Sequence, residues 1–147
     1  NIELRLGAWV NGQLLLMALI GVSVYAGLTL LHVEFALPLA IIAGVLEIVP
    51  MIGPIASAVP AVLVAVTVSP FLALSVMALY FIIQQVENNI FVPLILRKSV
   101  GLSPIVTIFA LMVGGTLAGI VGAVLAVPIV LVLQVVLRAF LFPPQKK

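Results

Sequence analysis

The sequence predicts an all-α, polytopic integral membrane fold containing two helical hairpins broken at proline and glycine. Three observations carry this. The chain is 65% hydrophobic and only 7% charged, with a mean hydropathy of +1.49, whereas a soluble domain carries about 25% charged residues. Its apolar runs have helical length and are parted by short polar joints. Finally, the helix breakers Pro50-x-x-Gly53-Pro54 and Gly114-Gly115 fall inside apolar runs rather than between them.

The first apolar run covers residues 13–31, enough to cross a hydrocarbon core of ~30 Å, and Trp9 before it fits an interfacial anchor. His32 and Glu34 mark an aqueous joint. Residues 36–68 stay apolar but carry Pro38, Pro50, Pro54 and Pro60. The arms on either side of the Pro50 break are each too short for a perpendicular span, so the segment reads as a hairpin, re-entrant in one version, with Glu47 near its tip. Ser69-Pro70 opens the next helix, which runs past Glu87-Asn88-Asn89 to Leu96 and closes at Arg97-Lys98. Pro104 opens a second hairpin, broken at Gly114-Gly115, punctuated by Gly119, Gly122 and Pro128, and ending near Leu137.

Charge supports this layout independently of hydropathy. If Arg5 is cytoplasmic, successive segments place His32 and Glu34 outside. Arg97, Lys98, Arg138, Lys146 and Lys147 then fall inside with it, so that all six basic residues share one side, as the positive-inside rule requires. The two hairpins thus open to opposite faces. They share a fragment, Ala58-Val59-Pro60-Ala61-Val62-Leu63-Val64 and Ala126-Val127-Pro128-Ile129-Val130-Leu131-Val132, at an offset of 68 residues. Inverted repeats with broken helices are a recurrent transporter design. The chain, 1–147, reads as a single transmembrane domain that looks like the C-terminal portion of something longer.

Several function classes drop out. Without cysteine there is no disulfide, thiolate metal site or cysteine nucleophile. A net charge of +2, scattered along the chain, makes no nucleic-acid surface. No metal cluster, phosphate loop or nucleophile–base pair is visible, so neither a cofactor nor an enzyme is expected.

Glu47 is the most informative residue. A carboxylate in so apolar a stretch costs several kcal/mol unless it is protonated, paired or facing a watery cavity. A titrating or solute-contacting role is weighed against a structural one, in which it accepts hydrogen bonds from the broken backbone near Gly53. The second constellation is Gln84-Gln85-Val86-Glu87-Asn88-Asn89, followed by Pro93. At 3.6 residues per turn Gln84, Glu87 and Asn88 share a face, with Gln85 and Asn89 beside it. That stripe either lines a translocation path or forms a wet helix end. Glu47 is expected to couple an ion gradient and Glu87 to orient solute or cation. Gly114, Gly115, Gly119 and Gly122 permit close helix approach, with flexibility in gating as the other reading.

The ordered series Glu47-x-x-Pro50-x-x-Gly53-Pro54, Gln84-Gln85-x-Glu87 leading to Pro93, and Gly114-Gly115-x-x-x-Gly119-x-x-Gly122 leading to Pro128 resembles the autoinducer-2 exporter (PerM-like) family of bacterial membrane permeases. The resemblance covers residues 12–128 and slightly beyond. It implies a bacterial inner-membrane protein about twice this length, assembling as a homo-oligomer in the lipid bilayer. Family members are associated with export of the quorum-sensing signal autoinducer-2, others with sodium(lithium)/proton antiport. The expectation is therefore a transporter of a small polar solute, coupled to an ion gradient. A monovalent cation/proton antiporter and a non-transporting membrane scaffold are the rivals. The path would be lined by Glu47, Pro50, Gly53, Pro54, Gln84, Gln85, Glu87, Asn88 and Asn89.

Overall fold

The computed structural model describes residues 2–49, 51–96 and 104–141. Pro50, Arg97, Lys98, Lys146 and Lys147, which figured above, lie outside the described residues. All regular structure among the described residues is helical. In order these are α1 (Ile2–Leu30), α2 (Ala36–Leu46), α3 (Ile52–Val68), α4 (Pro70–Val86), a π-helical turn (Glu87–Phe91), α5 (Val92–Leu96) and α6 (Pro104–Leu141). Among the described residues three stretches are long and apolar enough to cross a membrane: Leu6–Leu30, Pro70–Ile95 and Ile105–Leu137. At 11 and 17 residues, α2 and α3 reach only ~16 and ~25 Å.

The chain divides into two compact units, residues 12–97, and residues 1–11 with 98–147. In the first, α1 buries Leu16, Ile20, Val24 and Leu28 at four-residue spacing, one side of a helix. It ends where His32 adopts φ 56. The His32 N–H donates to Thr29 O at 3.1 Å and the Val33 N–H to Leu28 O at 3.0 Å, with Val33 and Leu28 both buried, which is a Schellman termination. The lone histidine is thus an exposed turn residue. Gly21 of α1 meets Gly44 of α2 so closely that a Cβ on Gly44 would lie 2.9 Å from Met17 O, the small-residue contact that lets helices approach in lipid.

α2 packs on α3 and α3 on α4. The buried face of α3 is small at every fourth position, Gly53, Ser57, Ala61 and Ala65. Against it α4 buries Ala73, Val76, Tyr80 and Ile83, at alternating three- and four-residue spacing. Ser69-Pro70 opens α4 as expected: the Ser69 hydroxyl accepts from the Leu72 N–H at 3.0 Å, and Pro70 occupies the first turn, where its missing N–H costs nothing. The π turn was not foreseen, and Pro93 explains it. A proline ring collides with the carbonyl four residues back and cannot donate to it. The turn widens, and the Val92 N–H reaches the Glu87 carbonyl instead.

The second unit contains the other hairpin. Within α6 the helical dihedrals hold through Gly114-Gly115, where the break was expected, and fail instead at Ala118 (φ −142, ψ 23) and Gly119 (φ 59, ψ −138). A Cβ on Gly114 would strike the Gly122 carbonyl and lie 3.0 Å from the Ala126 Cβ. Residues so spaced would be about 12 Å or more apart along a straight helix, so the chain doubles back and residues 104–117 lie against residues 120–141. Met51 at the first break and Gly119 at the second both have positive φ. They stand 68 residues apart, as do Pro60 and Pro128, which lie inside the second arm of each hairpin.

Candidate functional site: a carboxyl pair at a helix break

α2 stops at Glu47, whose N–H donates to Ala43 O at 3.1 Å. The chain then tightens: the Ile48 N–H donates to Val45 O at 3.2 Å and the Val49 N–H to Leu46 O at 3.1 Å. α3 picks up beyond Met51, where the Gly53 N–H donates to Val49 O at 2.9 Å. The break thereby satisfies much of its own backbone, as hydrocarbon surroundings demand. Met51 takes φ 69, a costly value for a side-chain-bearing residue. A Cβ on Gly53 would fall on the Leu46 carbonyl, so the position admits glycine alone.

The helix-end carbonyl of Glu47 has no partner within its own helix. Gln13 of α1 supplies one, its Nε2 donating at 2.6 Å in a buried hydrogen bond. Gln13 is 3% exposed and Glu47 1%, so the break is pinned to α1 from inside the unit.

Glu87 arrives at the same place from α4. It is the next step of the Ala73, Val76, Tyr80, Ile83 stripe and is 5% exposed. The carboxyl groups of Glu47 and Glu87 are in hydrogen-bonding contact. An ionised carboxylate only accepts hydrogen bonds, so this contact needs a proton held between the two. Glu47 Oε2, Glu87 Oε2, Gln13 Oε1 and the Tyr80 hydroxyl are buried without a hydrogen-bond partner. Native interiors leave few such atoms, and each calls for an explanation. Ser57, one turn beyond Gly53, is also buried, and its hydroxyl donates to Pro54 O at 3.1 Å.

The other candidates distribute differently. Gln84 is half-buried and, with Pro54 and Tyr80, lines an otherwise largely apolar groove of about 420 Å³ between α3 and α4. Gln85, Asn88 and Asn89 are exposed. Asn89 Nδ2 donates to Gln85 O at 2.7 Å and to Gln85 Oε1 at 3.3 Å. Asn88 does not share the buried face of Glu87, because neighbouring residues on a helix point about 100° apart and the stripe Ala73, Val76, Tyr80, Ile83, Glu87 leaves Asn88 on the outer side. In the other unit Gly114 and Gly122 make a backbone contact, Gly115 and Gly119 have open space where a Cβ would stand, and Pro128 is half-buried inside the helix. Gln13, Ser57 and Tyr80 escaped the sequence reading. Their signal was positional: a glutamine opening an apolar run, a serine four residues after Gly53, and a tyrosine seven residues before Glu87.

Comparison with known proteins identifies the family. Residues 1–142 match the AI-2E family transporter profile. The chain belongs to the AI-2E transporter family. YrrI of Bacillus subtilis is 40% identical over 141 residues, covering 96% of this chain and 40% of YrrI. YueF of the same organism is 34% identical, over 88% of this chain and 35% of its own length. The AI-2 transport protein TqsA of Escherichia coli is 34% identical, over 80% of this chain and 35% of its own length. The chain therefore spans well under half the length of these relatives. With three candidate spans it is a multi-pass membrane protein of a transporter family.

Proposed function

We infer that this chain forms the coupling region of a bacterial inner-membrane transporter, a homo-oligomer that exports a small polar solute of the autoinducer-2 kind, coupled to an ion gradient. The observation that carries this is the contact between the Glu47 and Glu87 carboxyls at a helix break. Discontinuous helices holding ionisable groups away from lipid are the usual setting of transporter binding sites. Similarity to TqsA, an AI-2 transport protein, supports the solute class. Amides and carboxyls suit a hydroxyl-rich solute, because both hydrogen-bond hydroxyls. The residues proposed for the path are Glu47, Glu87 and the half-buried Gln84, with Pro50, Gly53 and Pro54 shaping the break.

A monovalent cation/proton antiporter is the second reading. The unpartnered oxygens of Glu47, Glu87 and Gln13 favour it, since they are hard donors of the kind alkali cations take. The experiment is flux in proteoliposomes of the full-length protein, with and without a proton or sodium gradient. Solute efflux that follows the gradient supports the exporter. Cation–proton exchange without solute flux supports the antiporter, and no flux of either kind leaves a membrane scaffold.

A further inference from the structure

We propose that Glu47 and Glu87 are one functional unit, a binding site for a single proton shared between two carboxyls, and that this proton latches the broken end of α2 to the π turn after α4. The proposal takes the role of the break from the transport reading above, but the existence of the latch is a separate matter.

The geometry leaves few alternatives. The two acids come from different hairpin and span elements, are buried to 1% and 5% exposure, and touch each other. With no proton between them, two negative charges would face each other at hydrogen-bonding distance in a medium of low dielectric, where repulsion is far stronger than in water. With one proton the contact becomes a charge-assisted hydrogen bond, among the stronger non-covalent contacts available. With two protons the pair is neutral and the hydrogen bond ordinary. Among the described residues nothing buried around the pair relieves the charge. The polar groups buried on the packed elements are Gln13 of α1, Ser57 of α3 and Tyr80 of α4, none of them cationic. Glu3 and Arg5, the charged residues of α1, precede Gln13 by eight residues or more. His32 and Glu34 sit in the exposed turn at the other end of α2.

Gln13 is the second, independent observation. Its Nε2 holds the Glu47 carbonyl at 2.6 Å, while its Oε1 is buried and unpartnered. The end of α2 is thus held from two directions, by an amide on its backbone and by a proton on its side chain. Loss of the proton removes only the second. The proton leaves to water on whichever side the site opens, the two carboxylates separate, and α2 pivots on the Gln13 hydrogen bond. The π turn is suited to the partner role, because such single wide turns are frequent at functional sites.

One consequence departs from assigning the two glutamates separate jobs: they titrate as a pair, with macroscopic steps that belong to neither residue alone. The test is infrared titration of the full-length protein in liposomes, read at the protonated-carboxyl C=O stretch. Spin-label distances between Ile48→Cys and Asn88→Cys, both exposed positions, are measured alongside. The wild type should show a band that disappears on alkaline titration, with the two labels moving apart over the same pH range. Glu47→Gln and Glu87→Gln should each remove the whole band, because the introduced amide donates to the remaining carboxylate and needs no proton. In each, the label distance should stay short at every pH. A band that survives in one variant with its midpoint unchanged would overturn the proposal, as would labels that never move in the wild type. The titration of the wild type alone decides the matter if a variant fails to fold. A shared band without gradient-driven flux would reject the coupling reading and keep the latch, while flux without the band would do the reverse.

Discussion

Gly53 and Gln13 hold the site by opposite means, one by having no side chain and the other by having a particular one. Gly53→Leu should prevent assembly of the first hairpin, because any Cβ there lands on the Leu46 carbonyl. Backbone cannot yield as a side chain can, and the cost should exceed the ~1–3 kcal/mol usual for overpacking. Glu47→Gln, which keeps shape and most hydrogen bonding, should accumulate normally. The check is membrane yield and monodispersity of the two variants; the reverse ranking would show that the acid is structural. Gln13→Leu should cost about 1–3 kcal/mol by leaving the Glu47 carbonyl buried and unpaired, read as a lower melting temperature with undiminished insertion. Glu47 and Gly53 were legible in the sequence because an acid and a helix breaker are conspicuous among alanine, valine and isoleucine. Gln13 was not, since an amide near the start of an apolar run looks the same whether it faces lipid headgroups or caps another helix.

At the scale of elements, two breakers set the local geometry. Pro93 forces the π turn that carries Glu87, and Gly119 allows the reversal inside α6. Gly119 has φ 59 and ψ −138, a region essentially closed to other residues. Gly119→Ala should therefore destabilise the second hairpin by about 1–3 kcal/mol, although open space surrounds the position; thermal unfolding in detergent would measure it, and an unchanged midpoint would mean the reversal is not built as described. The first break and the Ser69-Pro70 helix start could be read from proline, glycine and hydropathy, whereas the second break falls at Ala118-Gly119 and not at the expected Gly114-Gly115, because composition does not tell which glycine of a run takes the positive φ. Nor could the π turn be read. The sequence reading applied a regular 3.6-residue period through Glu87-Asn88-Asn89, and the proline six residues beyond Glu87 changes that period before it acts as a breaker. The predicted polar stripe splits into an inward Glu87 and outward Gln85, Asn88 and Asn89, since the packed face of α4 is narrower than the arc the stripe's five residues occupy.

For the whole molecule, the layout expected from the sequence assigns every basic residue to one side of the membrane. Cysteines introduced at Glu34, which is exposed, and at position 99 should be labelled from opposite faces; labelling of both from one face would contradict the two-hairpin topology. Contact between Glu47 and Glu87, the feature on which the functional reading turns, was beyond sequence reasoning. Nothing in the local pattern pairs an acid ending one short helix with an acid forty residues later, because that pairing is made by the packing of α2, α3 and α4. The most direct test of the account is gradient-driven flux of the full-length protein and its Glu47→Gln and Glu87→Gln variants in proteoliposomes over a range of pH. The account predicts that either substitution abolishes flux driven by the gradient, removes its pH dependence and leaves downhill exchange partly intact. Normal, gradient-driven transport by Glu47→Gln with an unchanged pH profile would contradict it.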